Sequence, residues 1–176
     1  MRIATLLAFL CCALPMLADV ATVRREIEAQ YAKLAEANEK KDIAGIMALK
    51  SDTFYTIGPK AELNDRQSME EYSRRFLEPL LPPIVIKQTI RDIKVSQHEL
   101  VAVVTVFQEA SRYREMLGKK RKIDTSVVQR ETWVKTADGW KLQFVDDVRD
   151  QKTFVDSKRV DPTKPYDPDA PPYEPK

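Results

Sequence analysis

The sequence predicts an α+β domain, with three N-terminal helices packed on one side of an antiparallel sheet. Three observations carry this. Apolar residues recur at helical spacing through the first third of the chain, the period falls to two beyond Pro83, and short turns join the segments of period two. Helices and strands that occupy separate stretches of sequence segregate to opposite sides of the fold.

Val23, Ile27, Tyr31 and Leu34 lie four, four and three residues apart, one stripe of a first helix, with Glu36 and Lys40 paired on its outer side. Asp42 is placed to cap a short second helix whose Ile43, Ile46, Met47 and Leu49 face inward. Phe54–Ile57 reads as a strand ended by Gly58-Pro59. Asn64 or Asp65 caps a third helix, with Met69, Tyr72 and Phe76 as its stripe and Pro79, Pro82 and Pro83 as its end. Ile84, Ile86, Gln88 and Ile90 then alternate with other residues, and Gln97-His98-Glu99 forms a turn. Leu100–Phe107 is a central strand, rich in β-branched residues. Gly118-Lys119-Lys120 marks the next turn, Val127–Lys135 a further strand, and Asp138-Gly139 a tight hairpin leading into Trp140–Val148.

The chain has 176 residues, with 29 Lys and Arg against 27 Asp and Glu, a near balance that argues against a nucleic-acid partner. Four Gly, two Cys and one His exclude a Cys/His metal cluster, a two-histidine mechanism and a glycine-rich nucleotide loop, so no metal and no cofactor is expected. The basic run Lys119–Lys122 reads as a solvated turn, and His98 as a solvated turn residue. Residues 1–18 have the layout of a signal peptide: Arg2, an apolar run from Ile3 to Leu17, and a cut near Ala18 or Ala21. That run is too short for a permanent membrane anchor, so a secreted or periplasmic location is expected. Cys11 and Cys12 lie within it, so its removal leaves a chain without thiols. Residues 20–156 form the domain. Residues 157–176, rich in proline, read as a disordered or surface-hugging tail whose Tyr166 and Tyr173 are a candidate docking motif.

The order of these pieces resembles the nuclear transport factor 2-like superfamily, and within it the small SnoaL-like and DUF4440-type domains. The residues that carry the likeness are Asp42–Leu49, Asp52-Thr53-Phe54-Tyr55, Asn64-Asp65-Arg66-Gln67, and the hairpin Thr132–Lys135 with Asp138–Leu142. The resemblance implies a cone: a strongly curved sheet wrapped around the first helix, with a pocket between its concave face and the helices. It also implies homodimerisation. Val127, Gln129, Glu131 and Trp133 share a face, and Trp133 becomes the dimer anchor if that face points outward. Members include isomerases, dehydratases, cyclases, hydrolases and non-catalytic binding modules, so the fold by itself selects none of these.

The ketosteroid-isomerase-like members carry their base as an Asp before a proline at the end of the first strand. Gly58 stands at that place here, and Asp52 falls too early. Strict alternation puts Trp140, Leu142, Phe144 and Asp146 on one inner face, making Asp146 a carboxylate at the mouth of an apolar cavity unless it pairs with Arg130 or Arg149. Tyr31 and Tyr55 are its candidate phenolic donors, and Tyr31, Tyr55, Tyr72, Trp140, Leu142 and Phe144 the candidate lining of a site for a small apolar ligand. Three readings follow: a small-molecule-binding or non-catalytic domain, a cofactor-free lyase or isomerase using Asp146 as acid and base, and a protein-interaction or dimerisation module.

Overall fold

The stripe that begins at Val23 forms α1 (Val20–Glu39), in which Val23, Ile27 and Tyr31 are buried. The computed structural model describes residues 20–58, 62–96, 98–161 and 163–175. The expected signal peptide with Cys11 and Cys12, Pro59 of the expected strand end and Gln97 of the expected turn all lie outside the described residues. The second helix, α2 (Ile43–Ala48), is capped by Asp42, whose side chain accepts the Gly45 N–H at 2.9 Å. After β1 (Lys50–Ile57) and a short β2 (Leu63–Asp65) that the sequence did not announce, Asp65 caps α3 (Arg66–Leu77) by accepting the Ser68 N–H at 2.8 Å. The helix stops before Pro79, which has no backbone N–H to extend the ladder.

Four long strands follow: β3 (Leu80–Val95), β4 (Val101–Met116), β5 (Lys119–Thr136) and β6 (Gly139–Val155). Each runs well past the apolar core that announced it. The basic run Lys119–Lys122 is therefore the start of β5, and the turn is Leu117-Gly118. The sheet runs β2-β1-β6-β5-β4-β3, antiparallel except for the parallel pair β1–β6. A final short strand, β7 (Lys158–Arg159), pairs with β6 and carries the sheet past the expected domain boundary. Beyond it the proline-rich segment lies back on the sheet: the Tyr173 N–H donates to the Arg159 carbonyl at 3.0 Å, and Arg121 faces the Tyr166 ring at 6.0 Å. No helix among the described residues is long and apolar enough to cross a membrane.

The sheet is curved by irregularities concentrated in β6. Between the pairs Trp133–Leu142 and Thr132–Phe144, β6 advances two residues while β5 advances one. One extra residue also enters between Arg130–Asp146 and Val128–Arg149, and again between Val128–Arg149 and Ser126–Lys152, where β6 each time advances three residues for two of β5. Each is a β-bulge, which bends its strand and sharpens the twist. Asp147 and Asp150 take left-handed backbone angles, φ 48° and 54°, at the second and third. Asp tolerates that region better than most residues.

One core cluster joins Val23, Ile27 and Tyr31 of α1 to Ala102, Val104 and Val106 of β4, Trp133 of β5 and Trp140 and Leu142 of β6. A second joins Ala37, Ile46, Met47 and Leu77 of the helices to Leu80 and Ile84 at the start of β3. The concave face is thus filled where α1 crosses it. Toward α3 it opens into a cleft.

Candidate functional site

Cross-strand partners point to the same side of a sheet, so the buried row Ala102, Val104 and Val106 fixes the side of their β5 partners Trp133, Glu131 and Gln129. That row faces inward. Trp133 is 1% exposed, so it is a core residue and not the dimer anchor that an outward face would have made it.

Glu131, 2% exposed, is the one buried charged residue in the core among the described residues. Its Oε2 accepts from the Tyr31 hydroxyl at 2.6 Å and from Trp133 Nε1 at 2.9 Å, and its Oε1 accepts from Gln129 Nε2 at 2.7 Å. The Tyr31 ring meets Trp133 edge-on, with centroids 5.5 Å apart. Burial, and then the charge of Glu131, push the Tyr31 phenol well above its ordinary value, so it stays a donor. Lys50, half-buried, reaches the same region with its ammonium 4.3 Å from the Phe54 ring centroid. Burial depresses it to about 8 against the partial support of the Glu131 charge.

Gln129 also lines the cleft, a hollow of about 330 Å³ between α3 and the wide end of the concave face. Its apolar wall is Phe76, Leu77, Leu80, Ile84, Ile86, Val127 and Val148, and Tyr72 stands at its edge. Tyr72 and Phe76 stack with centroids 5.7 Å apart and remain 52% and 37% exposed. Its polar groups include Gln108, Arg112, Thr125, Gln129 and Gln151, with Asn38, Ser126 and Thr153 beside them. Arg112 is half-buried, with Nη1 on Thr125 Oγ1 at 2.9 Å and its guanidinium 5.1 Å from the Phe76 ring centroid.

The expected site residues divide between three places. Tyr72 lines the cleft. Tyr31, Trp140 and Leu142 are core residues; Trp140 closes the end of the cone toward α1, where its Nε1 donates to Glu26 at 2.7 Å. Tyr55, Phe144 and Asp146 lie on the outer face, which corrects the expectation of an inward Asp146. The first bulge of β6 reverses the alternation after Leu142, so Val145 faces the core while Phe144 and Asp146 turn away. Phe144 stacks on Tyr55 at 4.3 Å. Both Asp146 oxygens take the guanidinium of Arg130, through Nε at 2.7 Å and through Nη2. Tyr31 therefore donates to Glu131, not to Asp146. His98 is exposed in its turn.

The residues that sequence reasoning passed over are Glu131 and Lys50 in the core and Gln108, Arg112 and Gln129 in the cleft. The run Val101–Phe107 held the missing signal: once that strand is central, its antiparallel neighbour must present the Glu131 row to the same side. Among the described residues no group of three His, Cys, Asp or Glu side chains is arranged to hold a metal ion.

The geometry is shared with solved proteins. A conserved protein from Planctomyces limnophilus DSM 3776 is 14% identical, with 73% of this chain and 98% of that chain covered and a TM-score of 0.62. A candidate dehydratase of the NTF2-like family from Streptomyces avermitilis is 17% identical, covering 71% and 94%, with a TM-score of 0.54. A type 2 hexachlorocyclohexane dehydrochlorinase is 8% identical, covering 85% and 97%, with a TM-score of 0.58. At such identities the likeness is one of fold. No curated protein sequence matches the chain. The sequence profile of the SnoaL-like domain matches residues 27–144, from the core of α1 to the first bulge of β6. A cupped sheet crossed by its first helix and a profile match over more than half its length place this chain in the SnoaL-like domain family, with a fold it shares with solved NTF2-like proteins.

Proposed function

We propose that the cleft between α3 and the concave face binds a small apolar or amphipathic molecule, and that the chain acts as an exported ligand-binding domain without need of catalysis. The cleft itself carries the reading. It is concave, with an apolar wall and a comparable share of polar side chains, a lining that suits a small molecule with both an apolar body and a polar group. Export is supported by the signal-peptide pattern of residues 1–18, and the destination is the periplasm or the external medium. A homodimer through the outer face of the sheet fits the family resemblance.

A cofactor-free lyase or isomerase would need a base that reaches the bound molecule. Asp146 is on the other side of the sheet, paired with Arg130, and both oxygens of Glu131 are already engaged. The fold shared with a dehydrochlorinase supplies no base by itself. The interaction-module reading would need a filled cavity, whereas the cleft is open.

The test is titration with the neutral apolar dye 1-N-phenylnaphthylamine, followed by its fluorescence, with native mass spectrometry for retained ligand and oligomeric state. The wild-type chain is expected to bind the dye, and Phe76→Glu to lose that binding with its fold intact by circular dichroism. A Phe76→Glu chain that binds the dye as well as wild type would place the ligand elsewhere and end the proposal.

A further inference from the structure

Arg112 is the only charged residue among those that line the cleft. It belongs to β4 at the point where the inward row Val104, Val106, Gln108, Ala110 passes from core into open hollow. Among the described residues no carboxylate lies within ion-pair distance of it; its neighbours are the Thr125 hydroxyl and the Phe76 ring. The nearest acidic influence, Asp124, is one residue out of phase on β5 and is paired with Lys122 at 3.1 Å. Burial disfavours the charge, and the Tyr72 phenol and Asp124 offset it only in part, neither of them as an ion-pair partner. A guanidinium is a planar fork that matches a carboxylate bidentately, and it is an unusual group to leave unpaired against an apolar wall.

The other polar groups fit the same ligand. Gln108 accepts from Gln88 through Oε1 at 3.3 Å, which holds the amide in place and leaves its own N–H donors without a partner among the described residues. Gln129 is tethered to Glu131 through its nitrogen, which keeps that carboxylate occupied and away from an incoming anion. The lining thus sets these donors beside the apolar side chains Ile84, Ile86, Val127 and Val148.

We propose that Arg112 is the anchor of the cleft, and that the molecule it takes is a small carboxylic acid, with the carboxylate on the guanidinium and the apolar body along Phe76, Ile84 and Ile86. The inference rests on the reading of the cleft as a binding site and adds the chemical class of its ligand.

A matched pair of probes tests it: 4-phenylbutyrate and its neutral analogue 4-phenylbutanamide, titrated calorimetrically into the purified protein. The wild-type chain binds the acid about tenfold or more tightly than the amide, and added salt narrows the gap. Arg112→Gln loses that preference and binds acid and amide about equally, and Arg112→Lys, which keeps the charge without the fork, retains part of it. Circular dichroism spectra that match wild type show that the variants are folded. Equal binding of acid and amide by the wild-type chain, or an undiminished preference in Arg112→Gln, overturns the anchor and leaves the cleft reading standing. Failure of the wild-type chain to bind either probe overturns both.

Discussion

Lys50 and Glu131 both hold ionisable groups near the first core cluster, and the fold treats them differently. Glu131 receives three donors and is fully satisfied, so its burial is offset by hydrogen bonds. Lys50 has the face of Phe54 and the more distant Glu131 charge, and its ammonium is depressed from 10.5 to about 8. The sign of the consequence is fixed by linkage. Between about 8 and 10.5 the folded chain has released this proton while the unfolded chain still holds it, so the unfolded state binds more protons and stability rises with pH across that window. Below it, the folded state carries a charge held at a cost. Lys50→Met is therefore expected to stabilise the protein at pH 7 by about 1–3 kcal/mol and to flatten its gain in stability between pH 7 and pH 9.5. Urea unfolding of both chains at the two pH values checks this, and a variant less stable than wild type at pH 7 would show that the ammonium is well accommodated.

At the scale of elements, the hairpins and bulges decide which side chains meet. The β4–β5 turn places Leu117 and Gly118 at φ 52° and 69°, both left-handed, as a two-residue hairpin of this hand requires. Glycine is at ease there and leucine is not, and Leu117 is exposed and packs on little. Leu117→Asn is expected to raise stability by about 1 kcal/mol in urea unfolding, and a loss would mean that the leucine makes a contact that the turn needs. Such turns were legible: Asp138-Gly139 announced the last hairpin, and the caps at Asp42 and Asp65 were among those the sequence offered. The strands were read too short because only their apolar centres carry the alternation; the outer halves of β4 and β5, where Arg112 sits, are polar and half-exposed. The phase of β6 was not legible at all. Alternation predicted Trp140, Leu142, Phe144 and Asp146 on one face, and a single extra residue after Leu142 sends the last two to the other. The left-handed Asp147 and Asp150 mark only the second and third bulges, and among the described residues none marks the first.

Over the whole molecule, the first of the bulges that bend β6 around the helices also turns Asp146 outward, so the shape of the hollow and the loss of its expected acid share a cause. Fold class was readable because it depends on periodicity, which survives local irregularity. The site depends on facing, which one inserted residue inverts. The central claim is that the binding face is the concave one, at the end where α3 stands away from the sheet. Backbone amide mapping of the ¹⁵N-labelled protein by NMR, with and without saturating neutral 4-phenylbutanamide, tests it independently of the charge on Arg112. The shifts are expected at Tyr72, Phe76, Gln108, Gln129 and Val148, around the cleft, with Tyr55, Phe144 and Asp146 undisturbed. Shifts confined to Tyr55, Phe144 and Asp146 would contradict the account.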